Sequence, residues 1–225
     1  MTSSNIPDFL SYSATRHASD IFIIAGRPLS VKIDGKLSTY GERLMPADTD
    51  ALIRHIYQLA NNRNIDTFLN TGDDDFSFSV PGLSRFRVNA YRQRGSLAAV
   101  IRVIAFELPN PDILHIPEDV MSTADFTKGM VLVTGPAGSG KSTTMACLVD
   151  KINHSREGHI ITLEDPLEYL HRHDRCIVSQ REICTDTESY LVSLRATLRQ
   201  SPDVILLGEM RDYETINAAI TAAET

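Results

Sequence analysis

The stretch Gly135-Pro136-Ala137-Gly138-Ser139-Gly140-Lys141-Ser142 constrains this 225-residue chain more than any other. It fits the spacing GxxxxGK[ST] at every fixed position, directly after a strand predicted at 130–134 and directly before the helix-patterned STTMACLVDKI. That context gives the spacing its meaning. The glycines let successive backbone N–H groups turn around phosphate oxygens, and the helix N-terminus adds the positive end of its dipole. Lys141 then neutralises the β- and γ-phosphates of a nucleotide, Ser142 places its hydroxyl on Mg²⁺, and Thr143 donates from the first helical turn. The bland alternative is a glycine-rich turn with no ligand. Either way the surrounding chain must alternate strand and helix, with ligands at the carboxyl edge of a sheet.

The flanking sequence obeys that demand. A helix to about residue 155 stopped by Gly158, strands at 159–163 and 176–179, a helix over 189–199 and a strand at 204–207 follow the phosphate loop. The strands are apolar with little alternation, which predicts an α/β fold with a parallel sheet covered by helices on both faces. The first hundred residues have a different character. Strands are predicted at 20–25 and 29–33, with Asp34-Gly35 as a hairpin turn, and again at 76–80, 86–94 and 97–104. One helix, 46–62, brings Leu52, Ile56 and Leu59 to one face and covers this sheet. The expected organisation is a small α+β domain over 1–106, a semi-rigid linker with three prolines over 107–119, and an α/β domain over 120–225.

Phosphoryl transfer also needs a carboxylate near the metal and a group that orients water. Two acids stand at strand ends. Glu209 follows Val204-Ile-Leu-Leu-Gly208, and Glu164 ends Ile161-Thr-Leu before Asp165-Pro166. An acid is usual where Gly208 stands, so the metal-side carboxylate is assigned to Glu164, and Glu209 becomes general base or water-positioner. A solvated loop acid is the alternative for each. His171 and His173 read as solvated loop side chains.

Composition narrows the partners. Hydrophobic residues at 42% and charged residues at 23% describe a globular chain, and a net charge of −7 repels nucleic-acid backbones and anionic lipids. The N-terminus MTSSNIPDFL lacks a basic region and an apolar region, so the expectation is a chain that is not exported. Cys147, Cys176 and Cys184 form no CxxC pair, which fits reduced thiols in the cytoplasm.

With the phosphate loop, TLEDPLEYLH (162–171) and DVILLGEMRDYET (203–215) in this order, the chain resembles the secretion and type IV pilus ATPases, most of all their PilT-like pilus-retraction branch. RFRVNAYRQRG (85–95) extends the resemblance into the first domain. The resemblance implies a PAS-like N-terminal domain, a RecA-like P-loop NTPase core, and a ring, expected to be a homohexamer, that turns ATP hydrolysis into movement. Carried over residue by residue, the nucleotide contacts fall on Gly138, Ser139, Gly140, Lys141, Ser142 and Thr143, the Asp-box acid on Glu164 and the catalytic acid on Glu209. The family also lends arginines from its N-terminal domain to the nucleotide. Arg85, Arg87, Arg92, Arg94 and Arg102 are available, and Arg92 and Arg102 are the candidates. An exposed basic strand face and a nucleic-acid patch are the alternatives for this cluster.

Members of the family continue with a histidine box, further strands and C-terminal helices, whereas this sequence stops at AAITAAET inside an uncapped helix pattern. The expectation is therefore a fragment with a truncated core. The implied partners are copies of itself and the inner-membrane platform protein of a pilus or secretion machine, with no nucleic acid and only peripheral membrane contact through partners. The implied location is the cytoplasmic face of the bacterial inner membrane. Three alternatives stay open: a DotB-like type IV secretion ATPase, a nucleotide-binding module with little turnover, and a RecA-like DNA-processing protein.

Overall fold

The computed structural model describes residues 6–104 and 108–224. The chain divides into two compact units, Met1–Ala105 and Phe106–Thr225. In the first, α1 (Ile6–Thr15) precedes β1 (Asp20–Ile23), β2 (Pro28–Ile33) and β3 (Lys36–Arg43), then come α2 (Pro46–Leu59), α3 (Asp66–Thr71), β4 (Asp73–Val80), β5 (Ser84–Gln93) and β6 (Ser96–Ile104). The six strands form one antiparallel sheet in the order β3-β2-β1-β6-β5-β4.

Strand alternation builds its core. Phe76 and Phe78 on β4, Phe86, Val88 and Ala90 on β5, and Leu97, Ala99 and Ile101 on β6 are buried, and on β4 and β5 the residues between them are more exposed. α2 lays Leu52, Ile53, Ile56 and Tyr57 into the same cluster, and the Asp48 carboxylate accepts the Met45 N–H at 2.7 Å to cap its start.

Three helices rather than one contribute to this core. α1 adds Ile6, Phe9 and Leu10, and α3 adds Phe68. Both escape a periodicity reading because they are short: six residues in α3 complete fewer than two turns. The hairpin turn leads into β3, which hydropathy could not reveal because all eight of its residues are exposed. Backbone bonding to β2 and the Tyr40 ring, 5.3 Å from Phe9 and 5.1 Å from Tyr12 of α1 between centroids, hold this edge strand.

The second unit begins with α4 (Glu118–Met121) and a 3₁₀ turn at Ser122–Asp125. It continues with α5 (Lys141–Ser155), β7 (Gly158–Glu164), β8 (Cys176–Glu182), α6 (Tyr190–Thr197), β9 (Val204–Leu207) and α7 (Tyr213–Glu224). Its sheet is parallel, ordered β8-β7-β9. Ile160 of β7 packs with Ala124, Val149 and Ile152 on one side, and Ile161 and Leu163 pack with Leu194 of α6 and Ala219 of α7 on the other. Helices therefore cover both faces, as the unalternating strands predict.

Two expectations need correction. The run 130–134 is no strand: it pairs with nothing among the described residues, and Met130, Val131 and Leu132 are exposed. Apolar strand propensity alone does not make a ladder: the run stays unpaired although β9, last in the order β8-β7-β9, is bonded to β7 on one edge only. The expected linker is also part of the second unit. Turns close its prolines, with Ile116 N–H donating to the Pro111 carbonyl, and the Cys147 thiol of α5 donates to the Pro109 carbonyl at 3.3 Å. Among the described residues no helix is long and apolar enough to cross a membrane.

Phe86 is fully buried and stacks on Phe78 with ring centroids 5.3 Å apart. Phe86→Ala is expected to destabilise the first unit by about 3–5 kcal/mol in urea unfolding. A loss below about 1 kcal/mol would remove Phe86 from the core.

Candidate functional site

The phosphate loop is built by close approach. A Cβ on Gly135 would lie 2.6 Å from Ser139 Oγ, so the loop closes only over glycine. Gly140, left-handed at φ 90°, caps α5 and leaves the first-turn N–H groups of Lys141, Ser142 and Thr143 directed at the loop. The Lys141 ammonium donates to the Pro136 carbonyl at 2.9 Å within the same loop. Its ammonium is therefore held within the loop by one backbone carbonyl.

The two acids meet at the carboxyl edge of the sheet. β7 and β9 run in register to Leu163 and Leu207, and the Gly208 N–H donates to the Leu163 carbonyl at 2.8 Å. A Cβ on Gly208 would meet Tyr190 Oη at 3.0 Å and the Glu164 Cα at 3.4 Å. A side chain at 208 would therefore need Tyr190 or β7 to shift by a few tenths of an ångström, a crowding that favours glycine there.

Glu164 and Glu209 sit in different surroundings. The Glu164 carboxyl is largely buried, and burial pushes its pKa up despite donation from Thr162 Oγ1 at 2.6 Å and a longer bond from Gln180 Nε2 at 3.4 Å. Glu209 lies nearer solvent and pairs with Arg211, whose Nε is 2.9 Å from Glu209 Oε1. The Tyr190 hydroxyl lies among Glu209, Asp165 and Glu164, and burial with those charges holds it protonated far above neutrality. Among the described residues no cluster of three His, Cys, Asp or Glu side chains could cage a metal. One hydroxyl, Ser142, and one carboxylate, Glu164, suit a cation such as Mg²⁺ that keeps waters and leans on phosphate oxygens.

A side-chain contact ties loop to acid. Thr143 Oγ1 and Tyr169 Oη are 3.0 Å apart, and the Tyr169 carbonyl accepts from Gln180 Nε2 at 2.9 Å. Sequence reasoning missed Tyr169, Gln180, Tyr190 and Arg211. Arg211, two residues from Glu209, and Tyr169, within 162–171, had a visible signal because each lies in a motif already singled out. Gln180 and Tyr190 are recognisable only from the way β8 and α6 pack against β7. His171 is a half-buried side chain whose pKa burial lowers to about 4, so it stays neutral near pH 7. His173 is an exposed loop residue, as expected, although its Nδ1 accepts the Val178 N–H at 3.0 Å.

The arginines of the first unit do not form one cluster. Arg87 stands opposite Arg102 on the face away from the helices, where Arg87 makes a two-pronged bond to Asp75 and Arg102 lies 3.5 Å from Asp20. Arg92 stands opposite Leu97, on the core side of the sheet at its margin, and Arg94 lies in the following turn with φ 50°. Period-two alternation thus sends Arg92 and Arg102 to opposite faces.

A sequence model of the family described as "Type II/IV secretion system protein" matches residues 4–225. The chain is similar to "Type IV pilus retractation ATPase PilT" of Pseudomonas aeruginosa, with 42% identity over 98% of this chain and 64% of that protein. The chain thus spans less than two thirds of that relative's length. Among solved structures it is similar to "Crystal Structure of the Pilus Retraction Motor PilT and Bound ADP", with TM-score 0.87, 44% identity and coverage of 99% of this chain and 65% of that one. It is also similar to the ATPase DotB of Legionella pneumophila, with TM-score 0.78, 27% identity and coverage of 100% and 64%.

The crowding at Gly208 is testable by repair. Gly208→Ala is expected to cost about 1–3 kcal/mol of stability by overpacking. Adding Tyr190→Phe should return part of that loss, because the hydroxyl 3.0 Å from the new Cβ disappears. Additive losses in chemical denaturation would show that Tyr190 does not set the constraint.

Proposed function

This chain belongs to the type II/IV secretion system protein family, and from that premise we propose that it binds and hydrolyses ATP as part of a PilT-like motor for pilus retraction. The observation that carries this reading is the meeting of Glu164 and Glu209 at one sheet edge, with α5 and its phosphate loop tied to that edge through Thr143 and Tyr169. We read the second unit as a RecA-like core and the first as PAS-like. The ring is a homohexamer on the cytoplasmic face of the inner membrane, reached through a platform protein.

In this reading the backbone from Gly135 to Thr143, Pro136 and Ala137 included, wraps the phosphates, and Lys141 leaves the Pro136 carbonyl to meet them. Ser142 and Glu164 would hold Mg²⁺, which would supply positive charge beside the phosphates. Glu209 orients the attacking water and accepts its proton once Arg211 releases the carboxylate. Arg92 and Arg102 are the candidates for charge stabilisation from the first unit. Because they occupy opposite faces, they do not line one surface, and the variants Arg92→Ala and Arg102→Ala separate them. Greater identity to PilT at 44% than to DotB at 27% favours the retraction motor over a secretion ATPase.

The ATPase rate per subunit, followed against protein concentration with sedimentation of the same samples, tests the reading. A cooperative rise with oligomer formation, abolished in Lys141→Ala, is expected. Glu209→Gln should lower turnover about 10²–10⁴-fold with ATP affinity retained. Unchanged slow turnover in Glu209→Gln would overturn the role given to Glu209, and a monomer that binds ATP without hydrolysing it would leave a binding module.

A further inference from the structure

Gln180 belongs to none of the motifs above, yet it joins two parts of the site. β8 pairs with β7 so that Thr162 stands opposite Gln180 and Glu164 opposite Glu182. The parallel register therefore puts the side chains of Thr162, Glu164 and Gln180 on one face of the sheet. Gln180 Nε2 donates to the Tyr169 carbonyl at 2.9 Å and, at 3.4 Å, to Glu164 Oε1, while Gln180 Oε1 accepts the His171 N–H at 2.8 Å. This set of partners admits one orientation of the amide. A flip would set its oxygen against a carbonyl and a carboxylate, and its NH₂ against an N–H.

The consequence reaches α5. Residues 169–171 are pinned to β8 by both ends of one amide, and Tyr169 in that segment touches Thr143 in the first turn after the phosphate loop. An Ala at 180 would leave the Tyr169 carbonyl and the His171 N–H without these partners, and Glu164 would keep Thr162 as its side-chain donor.

We propose that Gln180 is a positioning residue for the hydrolytic site, fixing the Glu164 carboxylate and the Tyr169 segment together so that the acid meets the phosphate-bound cation in one arrangement. This rests on the reading of Glu164 as a Mg²⁺-side carboxylate. Outer partners of a metal-side carboxylate tune the metal through that ligand, and their loss costs about 10- to 100-fold in metal affinity.

The test is the affinity of the whole chain for a fluorescent ADP, titrated against Mg²⁺, with circular dichroism and melting of each variant. Gln180→Leu keeps the volume and removes donor and acceptor. Gln180→Glu keeps an acceptor for His171 and removes the donors. For both, affinity without Mg²⁺ should stay within about twofold of the parent, while the Mg²⁺ needed for half of the gain rises about tenfold or more, toward the value for Glu164→Gln. If Gln180→Leu does not fold, Gln180→Glu decides. A raised Mg²⁺ requirement in Glu164→Gln with none in either Gln180 variant overturns the positioning role and leaves Glu164 in place. An unchanged requirement in Glu164→Gln removes the reading of Glu164, and this inference with it.

Discussion

Strand β7 is hydrogen-bonded on both edges, and the architecture of the site follows from that pairing. A central parallel strand cannot turn either face to water, so Ile160 must meet one set of helices, and Ile161 and Leu163 another. Once both faces are sealed, its carboxyl end is where polar chemistry can stand, and the chain places Glu164 there. The neighbour β9 ends at the same level, one residue before Gly208, so Glu209 is delivered to the same edge without a direct bond between the acids. Crowding by Tyr190 then disfavours a side chain at 208. The glycine there fits how closely β9, β7 and α6 converge.

The same convergence separates the roles of the two carboxylates. Glu164 is sequestered and held by Thr162 and Gln180, which suits an acid of fixed geometry beside a hydrated cation. Glu209 lies nearer water and is held by an arginine that is itself exposed, so its partner can be exchanged at modest cost. One acid built to stay and one built to be released is a workable division for positioning charge and activating water.

In the first unit, alternation along β5 and β6 governs what its arginines can do. Buried aromatic and aliphatic residues anchor one side of the strands, so Arg87 and Arg102 emerge on the other, each beside an aspartate. Arg92 belongs to the opposite register. A basic-looking run in the sequence becomes two chemically separate sets once period two is imposed.

Much was legible beforehand because it is local. The phosphate loop is a run of eight residues whose glycines and lysine act through their own backbone and neighbours, and the strand at 204–207 was read to the residue. Strand β3 escaped because an edge strand whose eight residues are all exposed leaves no alternation of buried and exposed positions, and the run 130–134 misled because apolar content alone does not make a segment join a sheet. The sequence by itself determined the glycine-rich loop before α5, the acids at the ends of β7 and β9 and the strand–helix alternation after that loop, since each depends on residues within a few positions of one another. Only the tertiary structure decided that Gln180 lies beside Glu164, that Tyr190 crowds position 208 and that Arg92 and Arg102 part company. Those relations depend on the register between strands and on which face each residue takes, and a one-residue slip would change every one of them.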